Sequence, residues 1–464
     1  MSVRDSSISD DPARSAPSVA HIIARIDRLP GWGLSYGVFV IVGLAYFFAF
    51  YDISAISFTL PVLAAQYDFT GIDIAYPVAF NLLGYAIGAY ILGTLADRLG
   101  RRPAMLITVI VLGAGGLLTA FSWGLWSLTV FRFITGLGMG AEISLAAAMI
   151  VELSSSRQRA RNMQITYLFG AAGLTVTPFV AILLLDIGPI GWRMVFGLGA
   201  VVAVMLVFMR DRWLPESPRW LVVHGQLEKA EALVASMERR VVTRSGQKLP
   251  PLSSSVPAER AYSRNSIAEL FRPPYLRRTL VVLGFWLFWY VTVYGYLGYL
   301  PTILIEMGLT RPEGLIYAAL GQSATIIGGI VAFLLVNLSQ RKFLIGGFTA
   351  VFIIGLLLIV TNASGFWLFL GTFFGSMMIA ANSIGYLYTV EVFPTRMRAT
   401  AMALGDGVGH LGGVAAPFIV VGALAGVGAS GTLWLLIVFL VVAGVIMVAG
   451  GVRTSGRSLT DIAD

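Results

Sequence analysis

This sequence predicts an all-α integral membrane protein of twelve transmembrane helices, arranged as two pseudo-symmetric six-helix halves. Three observations carry that prediction. Continuous apolar runs of roughly 20 residues, the length that crosses a bilayer, recur along the chain. Arginine clusters fall in alternate loops between those runs. A Glu-x6-Arg pair, Glu152 and Arg159, follows the fourth run, and Glu391 and Arg398 repeat it at one constant offset after the tenth.

Hydrophobic residues make up 57% of the chain and charged ones 12%. In lipid every backbone amide must be paired inside its own helix or inside a closed barrel. The runs are long and continuous rather than short and alternating, which selects helices. The expected spans cover residues 34–62, 72–95, 104–121, 125–152, 163–185 and 193–210 in the first half. In the second half they cover 277–304, 313–337, 343–361, 366–390, 399–422 and 430–451. The remaining pieces are an N-terminal segment (1–33), a polar linker (211–276) and a tail (452–464).

Arg98, Arg101 and Arg102 follow span 2, and Arg157, Arg159 and Arg161 follow span 4. Arg341 and Lys342 follow span 8, and Arg396 and Arg398 follow span 10. The opposite loops are nearly free of such charge, so both termini and the linker are expected in the cytoplasm. The net charge of +8 is therefore orientation information and not a nucleic-acid surface. The chain has no cysteine, which excludes disulfide and thiol chemistry. Residues 1–20 lack the short apolar core of a signal peptide, so span 1 is expected to stay in place as a helix. Within the linker, 224–240 reads as an amphipathic helix on the membrane or the bundle, and 243–266 as a mobile stretch.

Residues 93–102 read G-T-L-A-D-R-L-G-R-R. Their Gly93, Asp97, Arg98, Gly100, Arg101 and Arg102 resemble the signature loop between helices 2 and 3 of the major facilitator superfamily of transporters. Span 4, with Arg132, Gly136, Gly138, Gly140 and Glu142, is similar to the glycine-rich helix 4 of that family. Pro215-Glu216-Ser217-Pro218-Arg219 and the turn Glu391-Val392-Phe393-Pro394-Thr395 before Arg398 resemble segments of its sugar porters, as does the tail at 456–459. Span 7 lacks the glutamine-rich stretch of sugar porters, and span 5 lacks the glycine-proline motif of drug antiporters. Phe50-Tyr51-Asp52, Glu142 and the Tyr294–Pro301 region look most like bacterial metabolite:proton symporters of the nicotinate and aromatic-acid type.

The resemblance implies the major facilitator fold and alternating access, in a cell (inner) membrane carrier working as a monomer. Its partners are then a small-molecule substrate, protons and the lipid bilayer. It implies a conformational latch built on Gly93, Asp97, Arg98, Gly100, Arg101 and Arg102, supported by Glu152–Arg159 and Glu391–Arg398. The second-half copy, Ser339-Gln340-Arg341-Lys342, has no acid, so one strong latch is expected rather than two. Proton symport of a small organic solute is the expected activity. A sugar or polyol symporter, an uncoupled facilitator and a non-transporting receptor on the same fold are the alternatives.

Charges inside the bilayer each cost about 2.5–3.5 kcal/mol on insertion scales, so they are the informative ones. Asp52 lies on a stripe of span 1 with no basic neighbour in the local sequence; it either carries a proton or substrate, or bonds a neighbouring helix. Arg132 and Glu142 can share one broad face of span 4, roughly 15 Å apart along the axis, for coupling or as a structural network. Asp406 and His410 stand at i and i+4 on span 11, where their side chains can meet; His410 titrates naturally in the range of a proton carrier. These five are the proton-coupling candidates. Gln164, Tyr167, Tyr294, Gln322 and Asn382, polar groups in apolar surroundings, are the substrate candidates. Arg132 as a permanent cation favours an organic anion. No metal cluster, phosphate-binding loop or activated nucleophile is visible, so neither a cofactor nor an enzyme is expected.

Overall fold

The computed structural model describes residues 19–155, 157–252, 266–336, 338–362, 364–394 and 397–454, with backbone alone at 19–20, 160, 202–212, 266 and 399. The expected Thr395-Arg396 turn residues, the 456–459 tail and most of the 243–266 stretch lie outside the described residues.

The first half comprises Tyr36–Gln66, Tyr76–Leu99, Arg101–Ala120, Leu125–Leu153, Arg159–Leu185 and Gly191–Trp213, spans 1 to 6. In the second half, Leu276–Glu306 is span 7 and Arg341–Thr361 is span 9. Span 8 is two collinear pieces, Arg311–Gln322 and Ala324–Leu335, and span 10 is Gly365–Ser376 followed by Ile379–Glu391. Spans 11 and 12 share the helical run Arg398–Val445, broken at Gly428 with φ 72°. The loop expected at 423–429 is thus a single left-handed glycine. Its flanks are small and apolar, with nothing to end a helix before a residue that tolerates positive φ. Gly100, at φ 108°, does the same between spans 2 and 3 and sets the signature turn.

Glycines set the helix spacing. A Cβ on Gly136 or Gly140 would stand 2.0 or 2.1 Å from the carbonyls of Asn81 and Tyr85, and one on Gly138 would strike the backbone of Leu112. Span 4 is therefore pressed on span 2 by one face and on span 3 by the other, as small-residue packing in membranes requires.

The linker helix differs from expectation. A short helix, Pro218–Val223, is capped by the Ser217 hydroxyl, which accepts from the Trp220 amide. Gly225, at φ 75°, ends it, so the amphipathic helix starts at Leu227 and runs to Ser245, not from 224. Its apolar face is covered by protein. The N-terminal helix Val19–Asp27 packs Ile22 and Ile26 on Leu221, Val222, Ala230 and Val234. Arg25 pairs with Glu231 and Glu238, and Arg28 with Glu238 at 2.6 Å.

The two halves touch at the end opposite the arginine-rich loops. There the Tyr299 hydroxyl donates to the Ile74 carbonyl at 3.1 Å, and Tyr76 meets Phe418 edge-on at 5.9 Å. They touch again at mid-membrane, where the candidate residues gather.

Candidate functional site

Span 7 carries Trp286, Tyr290 and Tyr294 one helical turn apart, and span 11 carries Gly405, Gly409 and Gly413 at the same spacing. The two stripes interlock. A Cβ on those glycines would stand 3.2, 2.6 and 2.6 Å from the respective rings. That seating carries Asp406 and His410 alongside the tyrosines. The Tyr386 hydroxyl donates to Asp406 Oδ1 at 2.7 Å, and the Tyr290 hydroxyl lies 2.5 Å from that of Tyr386 and 3.2 Å from the same carboxyl oxygen. His410 Nε2 is 3.1 Å from the Tyr294 hydroxyl, and Nδ1 is 2.8 Å from the Asp406 carbonyl and 3.4 Å from Asp406 Oδ2.

The first half closes this cluster. The Tyr85 ring stacks on His410 at 4.2 Å and 10°. The Asn382 amide donates to the Tyr167 hydroxyl at 2.8 Å, while its oxygen accepts from Trp289 Nε1 at 3.0 Å. Tyr46 and Phe50 of span 1 flank Tyr167 at 6.2 and 6.1 Å. Gln322 also bridges the halves, accepting from Ser54 at its side chain and from Thr175 at its carbonyl. Gln164 lines a small cleft with Tyr167, Leu168, Gly329, Ile379 and Ser383.

Asp52 and Arg132 form a second centre within the first half. Arg132 Nη1 lies 2.7 Å from Asp52 Oδ1, and the guanidinium is fully buried over the Phe196 ring at 5.3 Å. Asp52 Oδ2 and Arg132 Nε and Nη2 have no hydrogen-bond partner. A cleft lined by Phe48, Tyr51, Leu112 and Phe196 reaches Asp52. The missing basic neighbour of Asp52 thus comes from span 4. Arg132 and Glu142 do not act as one face: Arg132 turns to span 1, and buried Glu142 accepts from Thr108 of span 3. Ten residues of helix leave them on diverging sides, each with its own neighbour.

At the arginine-rich end, the repeat identified the acids but not their partners. Arg101 reaches Asp97 at 2.5 Å and Glu152 at 3.1 Å, and Arg341 reaches Glu391 at 3.4 Å. Arg398 donates to the Phe393 carbonyl and feels Glu391 through its charge alone, and the acids' bonded neighbours are the arginines that open spans 3 and 9. Both halves therefore hold the same Arg–Glu pair, despite the degenerate second loop. The Glu216 carboxylate accepts from the Arg101 and Arg102 amides, and Trp220 donates to the Asp97 carbonyl. The linker thereby holds the signature turn that contains Gly93, Arg98 and Gly100.

Sequence reasoning missed Tyr46, Tyr85, Tyr290 and Tyr386 as site residues. Two of them carried a readable signal. Tyr386 follows Asn382 by one turn, and Tyr290–Tyr294 repeats the spacing of Asp406–His410.

The family described as "Sugar (and other) transporter" matches residues 37–464. The chain belongs to this family of major facilitator transporters. It is a multi-pass membrane transporter and not an enzyme. Over 451 residues it is 28% identical to the niacin transporter NiaP of Acinetobacter baylyi, covering 95% of this chain and 99% of that protein. The 4-hydroxybenzoate transporter PcaK of the same organism is 27% identical over 375 residues, 78% of this chain and 79% of that one. The inward-open structure of the xylose transporter XylE from E. coli superposes with a TM-score of 0.73 at 18% identity, covering 92% of this chain and 98% of that chain. That likeness shows the shared fold.

Proposed function

We propose that the chain is a proton symporter that takes up a small organic solute by alternating access, with both termini in the cytoplasm. The buried Asp52–Arg132 pair carries this reading. A buried ion pair with unsatisfied atoms on both partners is a poor stabiliser, but it makes a switch. Protonating Asp52 removes the charge that holds Arg132, and the guanidinium, which stays charged, must find another partner. Such a change can bias two packings of the first half, and the cleft beside Asp52 offers the proton a way in. Glu142, buried against Thr108, is the second carrier candidate. The solute site of this reading lies where the halves meet, at Tyr167, Tyr294, Gln322 and Asn382 with Asp406 and His410. An organic-anion solute would draw on Arg132, which is engaged by Asp52, so the solute's charge is decided at the interface cluster.

The test is transport in proteoliposomes. Asp52→Asn should lose uphill accumulation driven by a pH gradient and keep solute counterflow, because exchange needs no net proton movement. Full accumulation by both Asp52→Asn and Glu142→Gln would overturn the proposal.

A further inference from the structure

We propose that the interface site takes an organic cation, its onium group seated between the Asp406 carboxylate and the surrounding tyrosine rings. The proposal rests on the transport reading only for the location of the site.

The charges set the sign. Away from helix ends, the spans hold one arginine, Arg132, and one histidine, His410, and no lysine. Arg132 is sealed behind Asp52 with no exposed surface. Asp406 keeps a quarter of its side chain exposed, and the Tyr386 hydroxyl, backed by that of Tyr290, lies against one of its oxygens. Its other oxygen lies 3.4 Å from His410 Nδ1. His410 is engaged at both ring nitrogens, Nδ1 by the Asp406 carbonyl and Nε2 by the Tyr294 hydroxyl. Asp406 is thus the acid that the cluster presents at its partly exposed side.

The rings add to that field. Tyr46, Tyr167 and Tyr386 follow one another at centroid distances of 6.2 and 6.5 Å, and Trp286 lies 4.7 Å from Tyr386. Aromatic faces attract a cation within about 6 Å of their centroids, most strongly where water is excluded. An anion in this place would meet the Asp406 carboxyl and the faces of the rings, whereas a cation finds its counter-group in both.

The experiment uses the full chain purified in detergent and three matched probes: benzyltrimethylammonium, benzyl alcohol and benzoate. Saturable stabilisation against thermal unfolding, with a change in tryptophan fluorescence, is expected from benzyltrimethylammonium alone. Asp406→Asn should weaken its binding at least tenfold, and Tyr386→Leu should weaken it as well; the wild-type probe panel stands independently of whether either variant folds. Saturation by benzoate with silence of the ammonium, silence of all three probes, or unchanged affinity in a folded Asp406→Asn overturns the proposal. The two proposals fail separately. Binding is read without a proton gradient, so a failed ammonium leaves the Asp52 result standing. Full accumulation in Asp52→Asn and Glu142→Gln leaves the ammonium result standing.

Discussion

The ring of Tyr290 occupies the place of the Cβ that Gly409 lacks, 2.6 Å from where that atom would stand. This contact fixes how span 7 is seated on span 11, and with it the position of Asp406 beside the tyrosine hydroxyls. A methyl group there cannot be accommodated without moving the ring. Gly409→Ala is expected to cost about 1–3 kcal/mol by overpacking, seen as a lower unfolding temperature in detergent together with loss of transport. Gly407→Ala, which meets nothing within 4 Å, should be neutral or slightly stabilising, since alanine favours the helix by about 0.8–1.0 kcal/mol over glycine.

The Asp52–Arg132 pair should respond unequally to loss of either partner. Asp52→Leu leaves a buried guanidinium that cannot give up its charge, at a cost of about 3–5 kcal/mol. Arg132→Met leaves a carboxyl that can become neutral by taking a proton, so it should cost less. The double variant Asp52→Leu/Arg132→Met should recover most of the stability lost in Asp52→Leu. Thermal unfolding of the four proteins forms the cycle that measures the coupling. Strict additivity would show that the pair is not energetically linked.

The signature turn should matter for motion more than for stability. Asp97 is largely exposed and pairs, among the described residues, with Arg101 of its own half, and such pairs contribute about 0–1 kcal/mol. Asp97→Asn is expected to leave the unfolding temperature nearly unchanged and to slow solute uptake about tenfold, a typical conformational coupling. Initial uptake rates at matched protein levels decide it; wild-type rates would remove Asp97 from the latch.

The N-terminal helix should release at low pH. Burial alone pushes the Glu238 carboxyl up, but its hydrogen bonds and charge contacts with Arg25 and Arg28 hold it below its ordinary value of 4.5. A carboxyl lowered on docking stabilises the docked state in full above its undocked value, and that contribution fades as pH falls through the lowered one. Docking should thus hold at neutral pH and loosen below 4.5. A spin label at residue 23 should become mobile over that range, and Glu238→Gln should be mobile already at neutral pH.

The relation between sequence and site is plain at the arginine-rich end. The repeated Glu-x6-Arg pattern marked Glu152 and Glu391 correctly, because a helix end facing a cationic loop leaves a local trace. It pointed to Arg159 and Arg398 as partners, whereas Glu152 bonds Arg101 and Glu391 bonds Arg341. Those arginines open neighbouring helices, about fifty residues away in the chain, at a distance where local spacing carries no information. The same limit hid Tyr46 and Tyr85, tyrosines on apolar helices whose facing residues lie in other spans.

By itself the sequence determined the number of spans, the six-and-six division, the alternation of charged loops and the short list of charges inside the bilayer. Each follows from a local cost, that of an unpaired amide or an exposed charge in hydrocarbon, which composition over roughly 20 residues reports. The tertiary structure alone decided which of those charges meet. Asp52 finds Arg132, Glu142 meets Thr108, and Asp406 is ringed by tyrosines. The rotation of each helix about its axis sets those meetings, and rotation is fixed by where glycines such as Gly140 and Gly409 let a neighbour close in.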